Sequence, residues 1–260
     1  MKFRWHLFEL EDQTWFPHVV RQGMMDVLRF MITKLGIYKP TVPLLAQALQ
    51  QQKQQHVIDL CSGSGGGILQ VWRELQKFSD QPVQITLTDK FPNISSYQYL
   101  HETSGGALLY EKDSVDATAV PTSLAGFRTI FSAFHHFKPI TAQAILKDAV
   151  NQGQGVGIFE GAGKSWHELL LVWLIFPWVI LLITPFIRPF RWSRLFFTYV
   201  VPLIPLGTVW DGTVSLLRMY TPQHLRQMVQ QLDAPHYTWH IGRARHWSGT
   251  GVLYLIGYPS

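Results

Sequence analysis

Two adjacent histidines, His135 and His136, directly follow the mostly apolar run 128–134. Imidazole titrates near neutrality, so a neutral ring at such a place can take a proton from a hydroxyl or an amine. A second stretch with chemical potential is 57–67, where Asp59 sits inside a short apolar run and Cys61, Ser62, Gly63, Ser64, Gly65, Gly66 and Gly67 follow. Glycines let a ligand approach the backbone closely, so a strand, this turn and a helix together make a nucleotide-binding corner. The third stretch, 83–89, alternates as a strand does and ends in Asp89, where a pair of ribose hydroxyls would be held. Glu160 closes a further apolar run and is a candidate for orienting a substrate.

These residues need elements to position them, and the hydrophobic periodicity supplies them. From 56 onward, strand and helix patterns alternate, which predicts a parallel doubly wound sheet. Strands are expected at 56–61, 83–89, around 107–110, at 128–134 and at 155–160. Helices are expected at about 66–78, 93–103 and 140–150. Thr221 and Pro222 form an N-cap and first helical residue, and 236–241 with 251–257 read as a closing pair of strands. Ahead of the corner, Val20, Met24, Val27, Leu28 and Met31 share one helical face, with Pro40 and Pro43 breaking that helix. A second short helix follows at 42–55. In an open sheet of this kind the ligand lies beyond the carboxyl ends of the strands, which is where His135 and His136 fall.

The corner is not a dinucleotide fingerprint, because the third glycine that fingerprint needs is replaced by Ile68. It resembles motif I of the class I S-adenosylmethionine-dependent methyltransferases, Asp-x-Gly-x-Gly-x-Gly, with Cys61 in place of the first glycine. The segment Asp116-Ala117-Thr118-Ala119-Val120-Pro121 is similar to the same family's motif II, with Asp113 as an alternative acid. The resemblance covers about 56–160 and 220–258. It implies an α/β, Rossmann-like, doubly wound, mostly parallel seven-stranded sheet with an antiparallel C-terminal hairpin. It also implies S-adenosylmethionine as cofactor, held by Asp59, Cys61, Gly63, Gly65, Asp89, Lys90, Asp116, Ala117 and Ser132. His135 and His136 become the catalytic candidates, since many small-molecule members carry a similar pair there. An N-terminal helical cap would close over the substrate, with Trp15, Arg21 and Glu160 as substrate residues and Glu9, Glu11 and Asp12 able to line the pocket. Acids preceding a helix also have a plain electrostatic reading. No metal ligands are assigned.

The division expected is a cap at 1–55, the core at 56–165 and 220–260, and a hydrophobic helical insertion at 166–219. The insertion breaks the alternation. The run 169–187 carries no charge, Arg188, Arg191 and Arg194 follow, and 195–210 is again uncharged. Pro177, Pro185, Pro202 and Pro205 argue against two full crossings, so a hairpin dipping into one leaflet through 169–210 is expected, its tryptophans and arginines at headgroup level. The rival readings are a soluble lid over a greasy substrate and a dimer contact. The sequence of Gly161, Ala162, Gly163, Lys164 and Ser165 suggests a phosphate loop, but Ile158 stands where that motif needs glycine.

The 260 residues carry one cysteine and a net charge of +5, which leaves no disulfide framework and points to a reducing compartment. No Lys/Arg cluster is interleaved with aromatics, so no nucleic-acid partner is expected. Charges scattered through 1–16 do not form a signal peptide. The expectation is therefore a cytoplasmic, membrane-associated methyltransferase acting on a small lipophilic acceptor. The alternatives are another reaction on this fold, or a nucleotide-fold scaffold without turnover.

Overall fold

The strand that carries Asp59 lies in the middle of a seven-stranded sheet of order β3-β2-β1-β4-β5-β7-β6. The computed structural model describes residues 4–79, 81–163, 165–247, 249 and 251–260. Lys164 of the rejected phosphate loop, Ser248 of the last connection, and Met1 and Lys2 lie outside these residues. The strands are β1 (His56–Asp59), β2 (Gln84–Leu87), β3 (Leu108–Tyr110), β4 (Phe127–Phe131), β5 (Val156–Glu160), β6 (Tyr237–Arg245) and β7 (Gly251–Pro259). The first five are parallel, and β7 runs antiparallel to both β5 and β6. The expected architecture is therefore present, including the closing hairpin.

Parallel strands are buried on both faces and read as near-continuous apolar runs. In β1, Val57 enters the core beneath α2 (Val42–Gln51), α3 (Ile68–Leu75) and α4 (Ile94–Thr103), while Ile58 enters the opposite core under α5 (Pro139–Asn151) and α10 (Pro222–Gln230). Helix α10 starts as expected: Thr221 caps it and Pro222 occupies its first turn. Strand β1 ends two residues earlier than expected, because Cys61 turns into a left-handed conformation, φ +57°. The order reverses between β1 and β4, so the loops after these strands diverge at the switch point where ligands bind in such sheets.

The N-terminal helix α1 (His18–Leu35) stops at Gly36, in the left-handed conformation, before either proline is reached. Pro43 lies in the first turn of α2 instead. Helix α1 shares an apolar cluster with the insertion: Val20, Met24 and Val27 pack with Ile180, Ile187 and Ile204. A Cβ at Gly23 would lie 2.3 Å from Ile204 Cδ1, so only glycine allows this approach without a shift. The insertion itself comprises α6 (Trp166–Leu174), α7 (Phe176–Ile183), the short α8 (Trp192–Leu195) and α9 (Leu203–Arg218).

Among the described residues no single helix is long and apolar enough to cross a membrane. Two helix pairs pass together, bent by 47° between α6 and α7 and by 80° before α9. Much of their apolar surface faces outward: Trp166, Trp173, Trp178, Leu182, Phe186 and Trp192 are all exposed. Arg194 is internal, 2 % exposed, with Nη1 donating to Asp26 Oδ2 at 2.6 Å. It therefore fastens the insertion to α1 and does not reach a headgroup.

Candidate active site

The loop after β1 is built from its own polar groups. Asp59, almost fully buried, accepts from Ser62 Oγ at 2.6 Å and from Thr129 Oγ1 at 2.8 Å, tying the glycine loop to β4. Burial pushes its carboxyl up to about 7 against the lowering effect of those two hydroxyls. A raised acid contributes stability that is fully present below the unfolded value, 3.8, and is lost as pH rises towards 7. Between pH 5 and 7 the wild type should lose about 2 kcal/mol relative to Asp59→Asn in urea unfolding. Parallel pH profiles for the two proteins would contradict this. The Cys61 thiol is likewise pushed up, first by burial and then by Asp89, Asp59 and Asp116, so it is not a thiolate at neutrality.

Gly65 holds φ +83°, and a Cβ there would lie 2.1 Å from Leu100 Cδ1. Gly63 N donates to Asp89 Oδ2 at 2.9 Å, and Phe91 N to Asp89 Oδ1 at 2.8 Å. Asp89 is thus held against the glycine loop by backbone donors, half-exposed at the crevice. Lys90 Nζ pairs with Asp116 Oδ2 at 2.9 Å, and Asp116 also receives the Thr118 hydroxyl and amide. Val115 N donates to Asp89 O at 2.9 Å, which brings the 113–117 loop, with buried Ala117, alongside. Helix α1 closes this side, where Asn93 Nδ2 donates to Gln22 Oε1 and to Ser64 Oγ. Ser132, after β4, accepts from Tyr38 Oη at 2.5 Å and from Gly161 N at 3.1 Å.

The histidines stand across the crevice on a helical turn at 134–136. His135 Nδ1 is 2.7 Å from Glu160 Oε2, and the His135 amide donates to Glu160 Oε1 at 3.1 Å. Glu160 therefore orients His135. The segment ahead of α1 supplies the rest. Glu9 Oε1 is 3.8 Å from His135 Nε2, and Glu9 Oε2 is 3.3 Å from His136 Nδ1. Asp12 Oδ1 is 3.0 Å from His136 Nδ1, and Glu11 Oε1 is 3.6 Å from its Nε2. Burial lowers the His136 value, but Glu9, Asp12 and Glu11 outweigh it and raise it to about 10, so the ring is charged at neutrality. Burial raises the Asp89 carboxyl against the lowering effect of its backbone donors, with the His136 charge a smaller lowering influence.

Arg218 and Arg4 complete the cluster. Arg218 Nη1 lies 2.8 Å from Asp12 Oδ2 and 3.2 Å from Glu9 Oε1. Arg4 Nη2 donates to the carbonyls of His135 and Phe137, both at 2.7 Å, and Asp211 accepts from the amides of Leu10 and Glu11. Glu9, Glu11 and Asp12 precede α1, whose first turn holds no acid, so they form part of this cluster and do not serve the helix. Arg21 donates to the carbonyls of Gln13 and Phe16, and Trp15 is 67 % exposed with its ring edge-on to Phe16. Neither is joined to the cluster by a hydrogen bond or ion pair among the described residues. Asp211 and Arg218 were legible in principle, as charges seven apart on an apolar helix share a face.

No family model matches the sequence, and no curated protein does. Solved structures do. The plantazolicin methyltransferase BpumL in complex with SAH superposes with a TM-score of 0.58 at 9 % identity, covering 96 % of this chain and 94 % of that one. The methyltransferase domain of bacterial CtHen1-C gives 0.51 at 12 % identity, covering 86 % and 99 %. The fold is that of the class I S-adenosylmethionine-dependent methyltransferases. The citrinin polyketide synthase CMeT domain gives 0.53 at 9 % identity, with 88 % of this chain covered. This chain spans 55 % of that chain and 55 % of the S-adenosylmethionine-dependent methyltransferase SibL. Within the methyltransferase fold, the strand order places the glycine loop, Asp89 and the histidine turn around one crevice.

Proposed function

We propose that this chain transfers a methyl group from S-adenosylmethionine to a small lipophilic acceptor at a membrane surface on the cytoplasmic side. The observation that carries the reading is the glycine loop with Asp89 on one side of the β1/β4 crevice and the acid–histidine cluster on the other. Gly63, Gly65, Cys61 and Ser132 would receive the amino-acid end of the cofactor, Asp89 its ribose, and the Lys90, Asp116 and Ala117 loop its adenine. The SAH bound in the plantazolicin methyltransferase BpumL, which shares this fold, supports this cofactor. The acceptor's nucleophilic atom would attack the sulfonium methyl in line, the carbon–sulfur bond breaking with its electron pair left on sulfur. Such a step needs mainly alignment. An acceptor proton would leave towards His135 and Glu9, because His136 is already charged. Replacing His135 by Ala should lower turnover by roughly 10²–10⁴ with cofactor binding kept.

The exposed apolar face of α6, α7 and α8 supports a lipid-facing acceptor, since faces beyond a few hundred Å² are rare on soluble monomers. The test combines location with chemistry. Full-length protein mixed with vesicles of zwitterionic and anionic phospholipid should float with them in a density gradient. Supplied with methyl-labelled S-adenosylmethionine and a total lipid extract, it should place label in the organic phase. Protein left at the bottom of the gradient, monodisperse without detergent, would sink the membrane part and make the apolar face a lid. Label found only in water-soluble products would overturn the lipophilic acceptor.

A further inference from the structure

The acid–histidine cluster holds two buried polar atoms with no hydrogen-bond partner, although Glu9 Oε2 stands 3.3 Å from His136 Nδ1. His135 Nε2 and Glu9 Oε2 are both buried and both without a hydrogen bond, on residues 3 % and 0 % exposed. Buried polar groups are almost always satisfied, so each such atom calls for an explanation. Their orientation supplies one. In the neutral tautomer that donates Nδ1–H to Glu160 Oε2, Nε2 carries a lone pair. That lone pair lies 3.8 Å from Glu9 Oε1, with the unpartnered Oε2 on the same carboxylate. A buried pair of acceptors like this suits a shared cation, either a proton on Nε2 or a metal ion.

We propose that Glu9, His135 and His136 bind a divalent first-row transition-metal ion of the Zn²⁺ type. One ligand-capable atom from each lies within 4.8 Å of the others. Metal–ligand bonds of about 2.0–2.2 Å put adjacent ligand atoms roughly 3.0–3.6 Å apart. Glu9 Oε2 already lies 3.3 Å from His136 Nδ1, and with all three ligand atoms within 4.8 Å of one another the site needs a closure of about 1 Å or less. Glu9 is anchored through Oε1, which receives Ser215 Oγ at 3.1 Å and faces Arg218, so Oε2 is left as a single ligand oxygen. Asp12 Oδ1, 3.0 Å from His136 Nδ1, stands beside the site as a further oxygen. Glu160 behind His135 is the carboxylate that metal-bound histidines usually carry to fix the tautomer and ring angle. Five carboxylates, Glu9, Glu11, Asp12, Glu160 and Asp211, meet two arginines, Arg4 and Arg218, and the His136 imidazolium at this cluster. An excess of negative charge accepts a cation, and two imidazoles among the ligands favour Mn²⁺ to Zn²⁺ over Mg²⁺ or Ca²⁺. Binding would release the proton that His136 otherwise carries. With the ion bound, His135 and Glu9 would no longer take the acceptor's proton; the ion would instead ease its loss to solvent from an acceptor hydroxyl entering as a further ligand.

The metal site rests on the proposed active site for its use, but its test does not. Untagged full-length protein, stripped with chelator, is titrated with Zn²⁺ by calorimetry, and S-adenosylmethionine binding is measured on the same samples. One ion per chain is expected. Glu9→Gln and His135→Ala should each weaken Zn²⁺ at least about tenfold, and Glu160→Gln by about tenfold through the lost orientation of His135. Glu9→Gln keeps the shape of the side chain, and retained cofactor binding reports that the variant is folded. No stoichiometric Zn²⁺ binding, or binding equal to wild type in both Glu9→Gln and His135→Ala, would overturn the site. Site-dependent Zn²⁺ with no cofactor binding would leave the metal centre standing and remove the methyl-transfer reading.

Discussion

Replacing Asp26 by Ala should cost about 3–5 kcal/mol of folding stability, the usual penalty for removing one partner of a buried ion pair. Asp26 is 1 % exposed, and its carboxylate is the counterion of three guanidinium groups: Arg194 at 2.6 Å, Arg29 at 3.5 Å and Arg191 at 3.6 Å. Arg194 also donates to the carbonyls of Ile187 and Pro189, so it stays buried when the acid is gone. The uncompensated charge is what destabilises the variant. Asp26→Leu combined with Arg194→Met should recover most of the loss, because an apolar pair of similar volume replaces the ion pair. Urea unfolding of the wild type and both variants reads this directly. A loss below about 1 kcal/mol in Asp26→Ala would mean that the insertion is not fastened to α1 through this pair.

Asp89→Ala should weaken S-adenosylmethionine binding at least tenfold, the loss of a charged acceptor being worth about 1.5–3 kcal/mol. In this protein the side chain has a second task. It accepts from Gly63 N and Phe91 N, so Ala both removes the ribose acceptor and frees the glycine loop. Asp89→Asn separates the two effects: its remaining carbonyl oxygen can keep one amide bond, so the loop is held better while the charge is lost. Affinity should fall in the order wild type, Asn, Ala. Equal affinity in all three would place the ribose elsewhere.

The core was legible because its signals are local. The run 57–67 states a strand, a turn and a helix within a few residues, and Asp89 and His135 end apolar runs, so the carboxyl-end rule alone puts them at the crevice. The cluster opposite was only half legible. Glu9 and Asp12, Arg218, the histidine turn and Glu160 come from four separate segments, and no spacing in the sequence says that they meet. Glu9, Glu11 and Asp12 also have an ordinary reading as acids ahead of a helix, which the distance to α1 removes. Arg194 failed for a related reason. Between two uncharged runs it looked like a headgroup ligand, and its acid lies far away in sequence, in α1. Strand ends were missed where backbone conformation decides them, as at Cys61, and the end of α1 was set by Gly36 and not by the prolines.

The central claim is that this crevice is an S-adenosylmethionine site, and equilibrium calorimetry on the full-length wild type tests it most directly. One site per chain is expected for S-adenosylmethionine, with a comparable site for its demethylated product and at least tenfold weaker binding of both by Asp89→Ala. A folded wild-type protein that gives no saturable heat with either compound would contradict it.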